Sequence, residues 1–421
     1  LSYPLAAARV GSKGIELSVF PGRSGRRWRP AHFRMRREAW TIGHSPSNSS
    51  QRLLPRSSRS LLSGLWRTIV CCLPFSAGLF VVGCSPEVSR TDSSEQALLW
   101  LDSLLLTDTA PKTVIGTVDG PLETVFGEIE DVLLLPGRGL VVLDDQALDL
   151  RLFSEEGRFR MMTGGNGFGP GEFRSFTDVV SRGGDTIVVL DGTRRQAVLF
   201  TLGAETFQFL GEEKVGMFGE QICPWNGGFI VLRLRPGGTT ILHRFDGDME
   251  LVDTFAEPID ETPPEVLASG FDHPRVFNTG ELLCEEESDR IFLLHGNVPY
   301  LRAFDGGGRE LWRTRLMDAY GMRLYLVRDR YVAYGSESET GAVDHGRALF
   351  LWGEDSLGVS LERRLSRDEA RYEMRLVQAS TGEELKQYAT PMIVVGVERG
   401  RLVGYVNHPY PEISIFSGDW K

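Results

Sequence analysis

The sequence predicts an all-β fold, a six-bladed β-propeller over residues 112–421 closed by an N-terminal strand, and three observations predict it. The first is a repeat. Asp131-Val132 opens an apolar run, Leu140-Val141-Val142-Leu143-Asp144 follows, and Leu150-Arg151-Leu152-Phe153 closes the unit. Asp178-Val179, Ile187-Val188-Val189-Leu190-Asp191 and Ala197-Val198-Leu199-Phe200 repeat it at one common offset of 47 residues. A period of about 40–50 residues built from short apolar runs is the signature of a propeller blade or a similar array. The second is strand chemistry: from Thr113 on, short β-branched and apolar runs are broken by Gly, Asp and Asn,. The third is closure. The last repeat supplies three strands, and a spare strand, 113–118, stands in front of the first; pairing it with 412–416 completes the blade and satisfies edges that otherwise invite aggregation.

Taken in order, the first blade reads as strands 130–135, 139–144, 148–154 and 158–163, with turns at Pro136-Gly137, Asp144-Asp145 and Glu156-Gly157. The second reads as 176–181, 186–191, 196–201 and 206–210. The third opens at Phe218-Gly219-Glu220, which repeats Phe126-Gly127-Glu128 at an offset of 92 residues. It continues through 229–232, 241–245 and 251–255. A proline-rich connection, 256–275, leads to the fourth blade at 281–284, 290–294, 300–304 and 310–314. The fifth is assigned 323–327 and 331–334, then an irregular insert over 336–371, then 372–378 and 383–388. The sixth has 392–397, 401–406 and 412–416.

The segment before the body has a different chemistry. Residues 1–60 are rich in Arg, Ser, Pro and Gly and show no sustained period, so they are read as disordered, or as an upstream extension that is never made,. The start at Leu1 rather than Met fits an over-extended gene start. Within 61–83, and led by Arg52, Arg56, Arg59 and Arg67, lies a nearly pure apolar stretch of sixteen residues, Thr68–Gly83. At helical rise that is about 24 Å, short of the roughly 30 Å hydrocarbon core, so the layout is that of an export signal rather than a spanning anchor. The ending Val81-Val82-Gly83-Cys84 resembles the lipobox of bacterial lipoproteins. The resemblance implies cleavage before Cys84, lipidation of that cysteine and a mature chain of 84–421. Several acyl chains make anchoring to a membrane stable. Ser85 after the cysteine, rather than Asp, leans towards the outer membrane. Residues 84–111 form a tether with a short helix, capped by Ser94 and carrying Ala97, Leu98, Leu101, Leu104 and Leu105 at helical spacing,.

Charge follows the same division. The chain carries a formal −11, but residues 84–421 hold 33 basic and 55 acidic groups, a net −22. A body of that sign repels phosphate at long range, which excludes nucleic acid as a partner.

The stretch Gly164-Gly165-Asn166-Gly167-Phe168-Gly169-Pro170-Gly171-Glu172-Phe173, followed by Asp178-Val179 and Ile187–Asp191, resembles the blade junction of bacterial six-bladed propellers of the NHL-like kind. The likeness is good across 126–210 and weakens after 256, where later blades lack the glycine-rich junction. Six-bladed propellers include metal-dependent lactonases and lyases whose ligands come from loops of several blades.

Chemistry-bearing motifs are few. Gly164–Gly171 lacks the G-x-x-x-x-G-K-S/T pattern and is read as a tight interblade turn. Asp144 and Asp191, ending the second strand of their blades, are read as acceptors for turn N–H groups. Alignment on Gly-Glu puts Asp131, Cys223 and Cys284 in one column, which Asp178 joins by the repeat offset. Equivalent positions on adjacent blades stand beyond disulfide reach, so Cys223 and Cys284 are expected as free buried thiols. The histidines of the body, His243, His273, His295, His345 and His408, are dispersed, and there is no H-E-x-x-H, C-x-x-C or G-x-S-x-G,. Glu285-Glu286-Glu287 with Asp289 reads as a solvated loop. No catalytic residue and no cofactor are assigned; a divalent cation in the channel is the alternative.

The resulting expectation is a lipid-anchored envelope protein, on the outer membrane facing periplasm or surface. Its propeller binds a protein, peptide or glycan, with 256–275 and 336–371 as contact elements. The alternative is a divalent-metal-dependent hydrolase or lyase, which requires carboxylates and histidines from at least three blades to meet at one point.

Overall fold

The computed structural model describes residues 6–11, 14–19, 101–102, 110–203, 206–215, 219–235, 238–268, 274–327, 331–365 and 369–417. The stretch 61–83 expected to be an export signal, Cys84, most of 84–111 and His273 lie outside them. Within the segment read as lacking structure, β1 (Ala6–Gly11) and β2 (Gly14–Val19) pair antiparallel, Ala6 with Val19 and Gly11 with Gly14.

The body is a ring of four-stranded antiparallel sheets. Blade one is β4 (Ile129–Leu135), β5 (Gly139–Asp144), β6 (Asp149–Phe153) and β7 (Phe159–Gly164). Blade two is β8 (Asp178–Arg182), β9 (Thr186–Asp191), β10 (Gln196–Leu202) and β11 (Phe207–Lys214). Blade three is β12 (Gln221–Trp225), β13 (Gly228–Leu232), β14 (Leu242–Phe245) and β15 (Leu251–Phe255). Blade four is β16 (Gly280–Glu285), β17 (Arg290–His295), β18 (Tyr300–Asp305) and β19 (Glu310–Arg315). Blade five is β22 (Val343–Gly353), β23 (Ser356–Arg364), β24 (Ala370–Gln378) and β25 (Glu384–Thr390). Blade six is β26 (Ile393–Glu398), β27 (Arg401–Val406) and β28 (Glu412–Ser417), completed by β3 (Thr113–Ile115). The closure is the one expected: Ile413 pairs with Ile115 and Ile415 with Thr113, although β3 is shorter than the run 113–118. Asn407 ties the seam, its side-chain amide exchanging two hydrogen bonds of 2.9 Å with the backbone of Ile129.

The apolar pattern follows from position in the ring. The second and third strands of a blade lie between two neighbouring blades, so β5 and β6 are buried at every residue. Fourth strands face solvent on one side, and β19 alternates half-buried with exposed. Tight packing appears at Gly139, with φ +115°, where a Cβ would lie 1.9 Å from the Phe153 carbonyl oxygen. The cores are interblade. Leu135, Val141, Leu143 and Leu150 of blade one pack with Val179, Ile187, Val189 and Phe200 of blade two. Leu101 is fully buried with Phe350, Met374, Tyr388 and Met392, and Lys386 donates to Asp102 at 2.6 Å.

Blade five departs from the sequence reading. The region 336–371, expected as an irregular insert, supplies β22 and β23, the two innermost strands of the blade. The pair 323–327 and 331–334, expected as blade strands, forms instead a separate hairpin, β20 (Met322–Val327) with β21 (Tyr331–Ser336). It packs with the preceding connection, whose helix α1 (Pro264–Ala268) contributes Val266 to a small cluster of Ile259, Phe277, Val298 and Leu324.

Candidate functional site

The first strands β4, β8, β12, β16, β22 and β26 neighbour one another around the ring and line the channel. Antiparallel order places the starts of first strands, the ends of second strands and the connections between blades on one face. On that face the channel opens into a cavity of about 120 Å³. Its wall is unequal. Glu130, Asp131, Gln221 and Glu281 come from blades one, three and four, whereas Arg347, Glu362, Arg364 and Tyr372 come from blade five. β22, β23 and β24 run to 11, 9 and 9 residues and project beyond the neighbouring blades, carrying these side chains over the mouth. Tyr405, Asn407 and His408 come from blade six, and Thr177 stands at the start of blade two. His408, one of the dispersed histidines, faces the cavity, next to a cis bond to Pro409.

Carboxyls dominate the electrostatics: Glu130 is exposed on the channel, Asp131 and Glu281 are half-buried and Asp178 is buried. Desolvation by the channel wall, with the charges of Asp145 and Asp131 added, raises Glu130 to about 7. Burial and the Asp131 charge raise Glu281 to about 8. Asp131 and Asp178 are raised by burial, and they hydrogen-bond one another, so one of the two holds a proton,. The basic groups are already engaged: Arg347 Nε donates to Glu362 at 2.6 Å and Arg364 Nε to the same carboxylate at 2.9 Å. Burial works against the Arg347 charge, but Glu362 overcomes it and holds the guanidinium above its ordinary value. Burial raises the Tyr405 hydroxyl.

Carboxyls from three blades thus reach one channel, as the metal-enzyme alternative requires. Yet among the described residues no group of three or more His, Cys, Asp or Glu side chains is placed to hold a metal ion. Of the histidines, His295 is buried with Nδ1 on the Phe277 carbonyl oxygen at 2.8 Å, His243 Nε2 is on the Arg233 carbonyl oxygen at 3.0 Å, and His345 Nδ1 is on Asn297 at 3.0 Å. Burial holds His295 down at about 3 and His345 at about 4.

The other singled-out residues have structural places. Asp144 is fully buried and accepts the N–H groups of Gly127 at 2.8 Å and of Gln146 and Ala147 at 3.1 Å. Asp191 accepts from Arg174 at 2.7 Å and Arg194 at 2.9 Å. Gly164–Gly171 is the turn from blade one to blade two, closed by Gly167 N–H on the Phe173 carbonyl at 3.0 Å. Glu285 pairs with Arg290 at 3.0 Å, and Glu286 accepts the Asn226 N–H at 2.6 Å.

The cysteines correct an expectation. Cys223 and Cys284 are not free thiols: they form a disulfide between blades three and four, with Cα atoms 5.8 Å apart. The register explains why. Gln221 pairs with Leu232 and Glu281 with Leu294, so Gln221 and Glu281 are the equivalent positions. Cys223 lies two residues on and Cys284 three. That odd difference turns one side chain towards blade four and the other back towards blade three, within the span a disulfide allows. The sequence alignment on Gly-Glu hid this one-residue slip.

Comparison with known proteins agrees with the ring. Residues 121–229, blades one and two with the start of blade three, match the family model DUF5128, described as a 6-bladed beta-propeller. No curated protein matches the chain. Among solved structures the chain is similar to a Bacteroides vulgatus member of the duf4221 family, at 9% identity over 73% of this chain and 98% of that one, TM-score 0.45. It is also similar to a Bacteroides fragilis protein provisionally described as exported, at 11% identity over 69% and 83%, TM-score 0.44. BamB from Moraxella catarrhalis matches at 10% identity over 74% and 98%, TM-score 0.37. By its sheet order and by the matched segment, the chain carries a six-bladed β-propeller domain.

Proposed function

We propose that this chain is an exported lipoprotein, anchored in the cell envelope through Cys84, whose propeller binds a ligand at the mouth of its channel rather than transforming one. The NHL-like blade junction and the outer-membrane address belong to the same reading. Export is supported by chemistry independent of the leader: the Cys223–Cys284 disulfide is of the kind that persists in oxidising compartments,. The observation that carries the binding reading is the channel-mouth cavity, lined by polar groups of all six blades and overhung on one side by the projecting strands of blade five. Ligand sites are concave and offer a few placed polar groups, which is the character of this mouth.

Intact mass spectrometry of the protein taken from its own envelope tests both halves. The denatured chain is expected to begin at Cys84 and to carry acyl mass that Cys84→Ser lacks. The native protein is expected to carry a non-covalent mass that is lost when Gln221, in the lining, is replaced by Trp. A chain without acyl mass overturns the anchor; a native mass equal in both forms overturns the channel mouth as the site.

A further inference from the structure

The cavity carries more acid than its two arginines neutralise: Glu128, Glu130, Asp131, Glu281 and Glu362 face Arg347 and Arg364. Arg347 and Arg364 both hydrogen-bond Glu362, so neither guanidinium is bonded to Glu130 or Glu281. Among the described residues the carboxyls of Glu130 and Glu281 have no hydrogen-bond partner. Tyr405 is an independent sign. It is only 6% exposed, its ring is packed with Ile129, Val132, Ile393 and Ile413, and it lines the cavity. Its hydroxyl likewise has no partner among the described residues. Because this hydroxyl opens onto the cavity with no protein group to satisfy it, it is free to bond whatever enters from outside the protein,.

We propose that this cavity binds a primary ammonium or guanidinium group, held by Glu130 and Glu281 with the Tyr405 hydroxyl as a further acceptor. The inference rests on the channel mouth being the binding site. The shape of the donor set argues for organic nitrogen over a metal. The carboxylates are spread around the channel and are not close enough together to ligate one ion, whereas an N–H cation reaches separate acceptors with separate donors. A volume of about 120 Å³ holds roughly four waters, and equally a cationic head group with the first methylenes of its chain,. Ile129, Ile393 and the Tyr372 ring supply an apolar flank for those methylenes. Such a group is carried by a free polyamine or by the lysine or arginine side chain of a partner.

The test is calorimetric titration of the full chain, purified in detergent, with putrescine, agmatine and N-acetyl-lysine methylamide, beside citrate and glucose as anionic and neutral probes. One cation per chain is expected to bind, at least tenfold more weakly in Glu281→Gln and several-fold more weakly in Tyr405→Phe. Binding of the lysine derivative alone assigns the group to a protein partner, and binding of the diamines to a free amine; either supports the proposal. Cation binding that Glu281→Gln leaves unchanged overturns it. Citrate or glucose binding that Tyr405→Phe weakens, with no cation bound, overturns the ligand class and keeps the channel mouth as the site. No binding of any probe overturns the cationic class, and the native mass measurement then decides whether the site itself stands.

Discussion

Asp178, on the first strand of blade two, accepts the backbone N–H of Ile222 in blade three at 2.6 Å, while its other oxygen accepts the N–H of Val179 at 2.8 Å. One side chain therefore joins two sheets that share no backbone ladder. It also donates to Asp131, which accepts the Val132 N–H at 2.7 Å. Asp178→Ala removes both acceptors in a buried place. At about 1–3 kcal/mol for each orphaned group the expected loss is about 2–5 kcal/mol. Asp178→Asn keeps one acceptor and can still donate to Asp131, so its loss is about half. Guanidinium denaturation at pH 7 checks the order; equal stability of all three proteins refutes the joint.

The Cys223–Cys284 disulfide closes a loop of 61 residues across the same kind of blade boundary. By loop entropy it stabilises by up to about 4 kcal/mol. Reduction is expected to lower the denaturation midpoint, and the double variant Cys223→Ser/Cys284→Ser to match the reduced protein without responding to reductant. Alkylation under denaturing, non-reducing conditions should modify neither cysteine; labelling of both refutes the bridge.

The repeat in blades one and two was legible because their buried strands are apolar throughout, as in Leu140–Leu143 and Ile187–Leu190. Blade five was not. β22 buries every second residue from Asp344 to Phe350, but those residues are Asp344, Gly346, Ala348 and Phe350, so the alternation is real and the hydrophobicity is not. The hairpin β20–β21 showed the opposite: Leu324, Leu326 and Val332 look like blade strands, yet they cover Ile259, Val266 and Phe277. The site was only half readable. Asp131 and Asp178 emerged from the repeat, but Glu281, Arg347 and Tyr405 become neighbours through ring closure, which no local window contains. One signal was available and unused: an arginine flanked by apolar residues on the third strand, as Arg151, Arg302 and Arg375. Each is fully buried and donates to a carbonyl of the chain entering its blade: Val125 at 2.7 Å, Glu257 at 2.8 Å, and Met317.

His295 predicts behaviour in acid. It is 1% exposed, its Nε2 meets no partner, and burial holds it at about 3, below the ordinary 6.5. Its contribution is therefore fully present above pH 6.5 and is lost as pH falls towards 3. The full shift corresponds to about 5 kcal/mol as an upper bound. His295→Asn is expected to be less stable than the wild type at pH 7.5. The gap between them should narrow by up to about 1.4 kcal/mol per pH unit below 6. Denaturation midpoints of both proteins between pH 7.5 and 4.5 decide it; a gap independent of pH refutes a neutral buried His295.

Glu281 predicts the opposite limb. Burial and the nearby Asp131 charge raise it from the ordinary 4.5 to about 8. A folded value above the unfolded one means that its contribution is fully present below pH 4.5 and is lost as pH rises through 8. Water in the cavity screens the charge, so the loss is about 2–4 kcal/mol rather than the full shift. Glu281→Gln has nothing to ionise. It should match the wild type near pH 4.5, exceed it increasingly from pH 5 to 8 and keep a constant lead above that, in denaturation curves at constant ionic strength,. Glu130, raised to about 7, leaves a residual slope in the variant, which Glu130→Gln in addition should flatten. Parallel wild-type and variant curves over that range would mean that Glu281 is charged at neutral pH as a carboxylate in bulk water is.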